Sequence, residues 1–587
     1  MDRSVPFAAP PTTRPAIRDR RGFVYEAAVS PRLKILLNVV FAAFAILAAT
    51  GAYLAVIRLA EWARDYVSKS VFPIWMLLVH TLVGVAITLP FLYFGLAHYA
   101  TARLRKNKLA VKLGLLLFAC GILVVVSGLA LIQLPGFPQI PTRTVVRNVT
   151  YTVHLLLPVA AIVLYVLHRR AGPDIQWKWA GAWGGGVTLF IAGMTIMHFQ
   201  TPANWGRTAP QEGDNYFNPS LSRTSDGKFL SAQALMMDQY CLKCHEDIYN
   251  DHYHSAHKFS SFNNPPYLFS VRETRQVSLK RDGNVKASRW CAGCHDVVPF
   301  MSGAFDDPNF DDVKHPTAHA GLTCTVCHAM IHINSTRGNG DYVLEEPQHY
   351  PFAYSDNAVL QWINNQLVKA KPDFHKKTFL KPFHRNKAEF CSTCHKVSLP
   401  MELNHYKEFL RGQNHYDPFL LSGVSGHGAR AFYYPPVAKT SCAECHMPLK
   451  PSNDFGSKDF DDSGTRKVHN HMFPGANTGI PYILSLDPNR AADADGFRRA
   501  IQFQSDFLRG TDPEGKDKKL RIDLFGLREG DSIDGKFLGQ LRPDLPTLTP
   551  GSTYLVEVVL RTLNVGHVFP QGTADSNEIW VDFEARS

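Results

Sequence analysis

Five short runs of the same kind constrain this chain more than any other feature of its sequence. Each run reads Cys-x-x-Cys-His, and together the five runs contain ten of the 11 cysteines. In such a run, two thiols form thioether bonds to a porphyrin and the adjacent histidine binds its iron, which is how c-type haem is attached. We therefore predict five covalent c-type haems. Their residues are Cys241, Cys244 and His245; Cys291, Cys294 and His295; Cys324, Cys327 and His328; Cys391, Cys394 and His395; and Cys442, Cys445 and His446.

Two other interpretations of the cysteine runs are weaker. Disulfide bonds, or zinc ribbons built from paired Cys-x-x-Cys motifs, would each explain a single run. Neither requires a histidine directly after the second cysteine in all five runs. The eleventh cysteine, Cys120, lies in an apolar stretch and is predicted to be a buried small hydrophobic residue.

The net charge of the chain raises the question of a nucleic-acid partner. The chain has 587 residues, a formal net charge of +11 and a pI near 9.0. Its basic excess lies in residues 1–34, 99–112 and 168–179, which contain four, five and two more basic than acidic residues. Because the remaining sequence is close to neutral, we predict no nucleic-acid partner.

Five apolar runs are each long enough to cross the hydrocarbon core of a bilayer. We predict a five-helix membrane domain, an all-α bundle, over residues 35–198. The first run is too long and too far from the N-terminus to be a cleaved signal peptide. The apolar runs cover residues 35–57, 74–97, 113–134, 150–168 and 180–198.

The basic segments predict the orientation of these helices. They precede the first apolar run, separate the second from the third, and separate the fourth from the fifth. By the positive-inside rule these segments lie in the cytoplasm, so residues 1–34 form a cytoplasmic N-terminal segment. Five crossings carry everything after residue 198 to the outer face, where c-type haem is attached. We predict a multi-pass protein of the bacterial inner (cytoplasmic) membrane with its haem c domain in the periplasm.

Four histidines lie inside the predicted membrane helices, His80 and His98 in the second and His154 and His168 in the fourth. Ionisable residues at membrane depth indicate a functional site. The helical period places both histidines of each helix on one side. This pattern resembles the dihaem membrane cytochromes b of quinone-linked enzymes. The resemblance implies two b-type haems, bound by His80 with His154 near the outer face and by His98 with His168 near the inner face.

The two histidine spacings differ by four residues, about 6 Å of helix rise, so straight helices would not hold both haems alike. A kink at Pro90 would absorb part of this difference. His98 and His168 have the alternative of lying at the level of the lipid headgroups. His198, at the outer end of the fifth helix, has three open roles: a ligand of iron, part of a quinone site, or an interfacial residue.

Residues 199–477 contain all five haem motifs and are rich in proline, glycine, asparagine, histidine and aromatic residues. Short helical patterns predict a mostly irregular and α-helical pentahaem domain, whose core is largely porphyrin. The segments around the motifs resemble the multihaem cytochrome c family that includes the tetrahaem carriers of bacterial ammonia oxidation. The resemblance covers roughly residues 236–477, and the chain has one haem motif more than the tetrahaem carriers, which leaves the correspondence of individual haems open. It rests on Ser255-Ala256-His257 after the first motif, His319-Ala320-Gly321-Leu322-Thr323 before the third, Phe390 before the fourth, and Met447-Pro448 after the fifth.

Low-spin electron-transfer haems need a second axial ligand on each iron, usually another histidine. The resemblance implies this distal role for His257 and for His471 in its loop. His319 and His384 stand five and seven residues before the third and fourth motifs. For each of these histidines, the alternative is a solvated loop residue. The predicted distal ligands are His257, His319, His384, His471 and His567, with His315, His349 and His469 as rivals.

Residues 478–587 contain no haem motif and have strand-like segments, which predict a small C-terminal antiparallel β-domain of sandwich-like form. Leu520–Leu524, Leu555–Leu560 and Ile579–Phe583 have the composition of strands, with turn residues between them. The loop that contains His567 resembles one that recurs after such haem domains. Because the chain stops four residues beyond a predicted strand, we expect the native protein to be longer or another chain to complete the sheet.

Two classes of function are consistent with these features. The first is a quinone-linked electron carrier, in which b haems connect a quinol with the c haems and with a periplasmic or outer-membrane redox protein. Quinol dehydrogenase activity belongs to this class. The second is an oxidoreductase in which one c haem keeps an open position for a small nitrogen or sulfur compound. The excess of histidine and the lack of a substrate-pocket motif favour the first class, within a larger complex or oligomer.

Overall fold

A computed structural model describes residues 16–18, 24–26, 29–63, 70–103, 105–132, 140, 144–172, 175–200, 216–432, 436–570, 579–584 and 586. Within these residues, 21 α-helices alternate with short 3-10 helices and small sheets. Most of the predicted cytoplasmic segment 1–34 lies outside the described residues.

Five long helices form the N-terminal part of the structure. Each is long and apolar enough to cross a membrane, which confirms the five helices predicted from hydropathy. Helices α3 and α4 begin at side-chain caps, because Asn107 accepts a hydrogen bond from the amide of Ala110 and Thr144 accepts one from the amide of Arg147. The five helices are α1 (Pro31–Ala63), α2 (Phe72–Ala102), α3 (Lys108–Leu131), α4 (Val145–Ala171) and α5 (Trp177–Gln200).

The exposed faces of these helices are apolar. On α4, the side chains of Leu156, Val159 and Ile162 are each more than half exposed, and no described residue of this helix is buried. A water-soluble protein rarely exposes so much contiguous apolar surface, whereas a lipid bilayer covers it at no cost. The five-helix part therefore has the surface of a membrane-spanning region.

The chain divides into two compact units that do not follow the order of the sequence. The first unit contains Met1–Trp205 together with Gln348–Lys377, and the second contains Gly206–Pro347 together with Thr378–Ser587. Residues 348–377 thus belong with the long apolar helices, although they lie between the third and fourth cysteine motifs. The predicted boundaries at 198 and 477 remain predictions.

Residues 348–377 contribute two helices, Ala358–Ala370 and the start of Pro372–Phe379. Asn357 begins the first helix by accepting hydrogen bonds from the amides of Val359 and Leu360. Tyr350, Leu367 and Phe374 form a buried apolar cluster with Ile74 at the start of α2. This packing ties the segment to the helices of its own unit.

The second unit is mostly short helices and irregular chain, as predicted for the cysteine-rich region. Its largest apolar core surrounds the second and third motifs and includes Phe217, Phe262, Phe300 and Tyr342. Its α-helices are Ala232–Leu235, Asp238–Leu242, Glu246–Tyr253, Pro265–Asp282, Arg289–Ala292, Val297–Met301, Cys324–His328, Phe383–Asn386, Glu389–His395, Met401–Asn404, Tyr416–Leu421, Ala443–His446, Gly479–Ser485 and Ala494–Arg509. Its 3-10 helices are Lys286–Ser288, Ala304–Asp306, Ala429–Phe432 and Pro488–Asp493.

The strands are short except near the C-terminus. The longer ones form a three-stranded antiparallel sheet with Leu520–Glu529 in the centre, between Phe537–Gln540 and Tyr554–Thr562. The remaining strands are Ala16–Arg18 with Val24–Glu26; Arg223–Thr224, Tyr342–Leu344 and Met330–Ile333; Lys396–Leu399 with Leu410–Asn414; and Leu449–Pro451 with Lys467–His469.

The C-terminal sheet confirms two of the three predicted strands. Leu520–Leu524 and Leu555–Leu560 lie within the paired strands of this sheet. The prediction of a strand at Ile579–Phe583 is wrong, because these residues adopt no regular structure. Their large side chains are exposed, with Trp580 at 78%, so no burial supports strand pairing there.

Candidate functional site

The five cysteine motifs all lie in or beside short helices. The third motif forms the helix Cys324–His328, and the fourth ends the helix Glu389–His395. In one helical turn, residues three and four positions apart lie on the same side, so both thiols and the imidazole of a motif face together. All 11 cysteines lie in the described part of the chain, and none forms a disulfide bond.

Contacts between cysteines of different motifs join the motifs into two groups, the first with the third and the second with the fourth and fifth. Cys241 of the first motif hydrogen-bonds Cys324 of the third. Cys294 of the second motif hydrogen-bonds Cys394 of the fourth. The fourth motif also contacts the fifth, through a hydrogen bond between the thiols of Cys391 and Cys442. Groups attached to these cysteines would lie side by side.

Four of the five motif histidines are held through Nδ1. Nδ1 of His295 donates a hydrogen bond to the carbonyl of Ser260 at 2.8 Å. Such a bond fixes the ring and its tautomer, so that Nε2 is the nitrogen that would bind a metal. The other three bonds are from His245 to the Asp454 carboxylate at 2.8 Å, from His328 to the carbonyl of Phe379 at 2.7 Å, and from His446 to the carbonyl of Pro474 at 2.6 Å.

Three predicted distal histidines face a motif histidine at a common distance. The ring centroids of His257 and His395 are 6.1 Å apart, those of His567 and His446 are 6.1 Å apart, and those of His471 and His328 are 6.5 Å apart. A metal about 2 Å from one nitrogen of each ring places two imidazole centroids roughly 6 Å apart. Each of these pairs therefore has room for one iron between its rings.

Burial keeps several of these rings neutral, as a metal ligand must be. Burial lowers the pKa of His257 to about 3, and the neighbouring His395 adds to the effect. Burial likewise lowers the pKa of His395 and of His471 to about 4. These imidazoles are therefore deprotonated at neutral pH.

The other two predicted distal ligands lie elsewhere. His384 packs against His328 of the third motif with a centroid distance of 5.0 Å, and against Phe390, directly before the fourth motif, with a centroid distance of 4.7 Å. Both of its nitrogens are engaged, since Nδ1 accepts from the amide of Lys381 and Nε2 donates to the carbonyl of Cys327. The side chain of His319 is exposed.

The three alternative candidates for distal ligands also lie at different places in the structure. Nδ1 of His315 hydrogen-bonds Thr317, and Nδ1 of His469 donates to the carbonyl of Met447. His349 belongs to the first unit, where its ring contacts Tyr354.

Sequence reasoning missed His415, which lies 5.4 Å from His395 and 5.7 Å from His567 between ring centroids. It also missed Asp454, because the partner of His245 is 209 positions away in the chain. Neither residue has a local sequence pattern that could have identified it.

The histidine of the second motif contacts a tyrosine ring and not another histidine ring. The ring of His295 stacks on Tyr267 with centroids 4.3 Å apart, and the Tyr267 hydroxyl donates to the carboxylate of Asp296 at 2.5 Å. Burial raises the pKa of Asp296 to about 7, and the hydrogen bonds from Ser261 and Tyr267 oppose this rise. Among the ring pairs of the described residues, none places a second imidazole against His295.

One cluster of possible metal ligands overlaps the motifs. Asp238, His252 and Cys324 bring one ligand atom each within 4.8 Å of one another. Cys324 already belongs to the third motif, Asp238 also pairs with Lys258, and His252 hydrogen-bonds the carbonyl of Leu322. The cluster is therefore part of the motif region rather than a separate site.

The four membrane histidines form two facing pairs. The centroids of His80 and His154 are 6.3 Å apart with perpendicular rings, and those of His98 and His168 are 6.4 Å apart with perpendicular rings. These distances lie within the range of 6.1 to 6.5 Å found for the motif pairs in the second unit. The structure thus brings together the same partners as the predicted pairing, despite the unequal spacings along α2 and α4.

Hydrogen bonds and close glycines hold these rings. Nδ1 of His80 hydrogen-bonds Thr50 at 2.9 Å, and Nδ1 of His168 donates to the carbonyl of Ala110 at 2.9 Å. On α3, a Cβ at Gly114 would lie 2.8 Å from Cε1 of His168, and one at Gly128 would lie 2.9 Å from Cε1 of His154. Any larger residue at these glycines would displace the imidazoles.

Comparisons of the chain with protein-family models, with curated proteins and with solved structures find no match.

Proposed function

We propose that this protein is a membrane-bound electron-transfer cytochrome that links the quinone pool, through two b-type haems, to five c-type haems and a redox partner. The observation that carries the proposal is the presence of two facing histidine pairs, 6.3 and 6.4 Å apart between centroids, within helices apolar enough to cross a membrane. A simple anchor needs one helix and no buried histidine. Two imidazole pairs at membrane depth indicate a cofactor site instead.

The residues of the chain would hold the cofactors in fixed positions. His80 with His154 and His98 with His168 would each hold one b-type haem, while the five Cys-x-x-Cys-His motifs would hold the c-type haems. When bound, haem supplies reversible one-electron transfer at its iron. The hydrogen bonds on Nδ1 orient the ligand rings.

The proposed location follows from charge and chemistry. Basic segments next to the apolar helices support an N-terminus in the cytoplasm of a bacterial cell, and the second unit would then be periplasmic. Its partner would be a periplasmic or outer-membrane redox protein, within a larger complex or oligomer. The segments around the motifs support membership of the multihaem cytochrome c family that includes the tetrahaem carriers of bacterial ammonia oxidation, with a C-terminal β-domain.

Quinol-driven reduction of the c-type haems tests this function. We expect a water-soluble quinol to reduce the c-type haems of the purified protein, and we expect His80→Ala and His154→Ala each to abolish this reduction because the outer cofactor loses a ligand. Stopped-flow absorbance at the c-haem band measures the reaction.

Dithionite, which needs no quinol site, provides the control and should reduce the c-type haems in every variant. Rapid quinol-driven reduction in a variant that has lost both b-type haems would contradict the proposal.

The C-terminal loop provides a second prediction. The rings of His567 and His446 are nearly parallel, at an angle of 10°. We expect His567→Ala to leave the iron of the fifth motif with one histidine ligand and to produce a high-spin electron paramagnetic resonance signal from one haem. His405→Ala, at an exposed loop position, is the matched control and should leave the spectrum unchanged. An unchanged spectrum in both variants would show that His567 is not a ligand of this iron.

A second candidate function rests on the second motif, because among the ring pairs of the described residues none sets another imidazole against His295. An iron held there would keep an open position, as an oxidoreductase acting on a small nitrogen or sulfur compound requires. Turnover of such a compound without any reaction with quinols or quinones would favour this function over electron transfer from the quinone pool.

A further inference from the structure

Residues 348–377 meet three helix ends that lie on the same side of the membrane. In a chain that crosses a bilayer five times, the end of α1, the start of α2 and the end of α5 share one side. The segment packs on Ile74 at the start of α2 through its buried apolar cluster. Its Lys371 interacts electrostatically with Glu61 near the end of α1 and with His198 near the end of α5. The segment therefore lies at this end of the five-helix bundle.

The contacts with α2 set the depth of the segment in the membrane. α2 has 31 residues and is about 46 Å long, whereas the hydrocarbon core of a bilayer is about 30 Å thick. If both ends extend equally, about five residues at each end lie among the lipid headgroups. Ile74 and Trp75, which the segment contacts, are the third and fourth residues of α2. An exposed ion pair of Arg58 on α1 with Asp373 of the segment, at 3.0 Å, fits the headgroup layer and not the hydrocarbon core.

Hydrogen bonds hold one face of the helix Ala358–Ala370 against the loop that precedes it. The side chain of Gln361 donates to the carbonyls of Phe352 and Ala353. The buried side chain of Asn364 donates two more hydrogen bonds to carbonyls of the same loop. Because residues three positions apart share one face of a helix, these bonds turn the opposite face away from the loop.

The opposite face of this helix is apolar near its start and basic near its end. Val359, Trp362, Gln366 and Lys369 follow one another at steps of three and four residues and form this outward face. Val359 is 66% exposed and Trp362 is 50% exposed, and Tyr354 of the preceding loop is 43% exposed. Exposed tryptophan and tyrosine side chains are typical of the membrane interface, where the ring is buried in lipid and its polar atom stays hydrated.

The apolar surface of the segment continues onto α2. The ring of Phe352 contacts the ring of Trp75 with centroids 5.5 Å apart. Trp75, Leu82 and Leu89 follow at steps of seven residues, so they lie on one side of α2, and they are 39%, 60% and 75% exposed. The loop that carries Phe352 therefore joins the outward face to the exposed apolar side of a helix that is apolar enough to cross a membrane.

The charge of the segment suits a surface of lipid phosphates. Residues 348–377 contain four lysines and two aspartates, a net charge of +2. Basic residues beside exposed apolar and aromatic side chains are the composition of helices that lie in the membrane interface. Such a helix gains from the burial of its apolar face and from the attraction between its lysines and the phosphates.

We propose that residues 348–377 lie in the headgroup layer of the membrane that the long helices cross, with Val359, Trp362 and Tyr354 inserted among phospholipids. Lys369 and the other lysines of the segment lie beside lipid phosphates. Phospholipid is thus the partner of the outward face, and it holds a segment between the third and fourth motifs at the membrane surface. The inference goes beyond the proposed function, because it requires neither haem nor quinol.

Photochemical cross-linking identifies the partner of the outward face. The photoreactive p-benzoylphenylalanine replaces Trp362 in the full chain, and the protein is incorporated into nanodiscs of phosphatidylcholine and phosphatidylglycerol. After irradiation, we expect mass spectrometry to show a phospholipid adduct on the peptide that contains position 362. The same amino acid in place of Leu89, 75% exposed in the middle of α2, is the positive control and should also react with lipid.

Substitution of the exposed pair tests the same contact without a probe. Val359→Asp/Trp362→Asp removes two apolar side chains from the lipid, so we expect amides of the helix Ala358–Ala370 to exchange hydrogen about tenfold faster in nanodiscs. Both positions are exposed in the protein, which leaves the buried cluster around Ile74 intact. Val359→Ile/Trp362→Phe is the matched control and should exchange like the unchanged protein.

Two results would overturn the inference. One is a residue at position 362 that cross-links only to protein, or to nothing, while the residue at position 89 reacts with lipid. The other is equal hydrogen exchange in the charged and the conservative double variants. Neither result bears on the proposed function, which quinol-driven reduction of the c-type haems tests separately.

Discussion

Five haems per chain are expected to stay attached after denaturation when the protein is produced in cells that mature c-type cytochromes. Each Cys-x-x-Cys-His motif presents two thiols and one histidine on a single helical turn, and the resulting thioether bonds survive acid and denaturant. Intact-protein mass spectrometry should give the polypeptide mass plus five haems, while acid acetone should remove only the b-type haems.

Paired cysteine substitutions sharpen this measurement. Cys241→Ala/Cys244→Ala should lower the count by one haem, and the same pair of changes in any other motif should do likewise. Cys120→Ala is the matched control, because the buried Cys120 on α3 belongs to no motif, and it should keep all five haems. Fewer than five haems in the unchanged protein would contradict the prediction.

Loss of one complete b-type haem is expected from a change in either member of a membrane histidine pair. His80→Ala and His154→Ala should remove the same haem, and His98→Ala and His168→Ala should remove the other, because each iron needs both rings of its pair. Pyridine haemochrome spectra of the acid-acetone extract should show half of the b-type haem in each variant, and redox titration should show which of two potentials disappears.

Glycine variants provide an independent test of the same pairs. Gly128→Val should remove the haem that depends on His154, and Gly114→Val the one that depends on His168, because Cβ atoms there would meet these rings at under 3 Å. Gly193→Val on α5 has open space around its Cβ position and is the control. Four histidine variants that all retain the full b-type spectrum would show that these histidines hold no haem.

The prediction from sequence was most successful where the information is local. Hydropathy predicted all five long helices, since crossing a bilayer requires about 20 consecutive apolar residues whatever the rest of the chain does. Haem attachment at the cysteine motifs stays a prediction, and it too depends only on residues within one helical turn. Strand prediction was less reliable, as Ile579–Phe583 shows, because a strand is stable only when a partner pairs with it and covers one face.

Only the tertiary structure decided which residues meet. Asp454 reaches His245 across 209 positions, and His384 lies against His328 of the third motif. Residues 348–377 belong to the first unit, although they lie between the third and fourth motifs in the sequence. Such contacts depend on packing and burial over the whole chain, and no local pattern encodes them. The sequence by itself determined the number of long apolar helices and the residue types available as ligands, while the fold determined which imidazoles face each other. The physical reason is that ligand chemistry and hydropathy belong to single residues and short segments, whereas the separation between two side chains depends on every element packed between them.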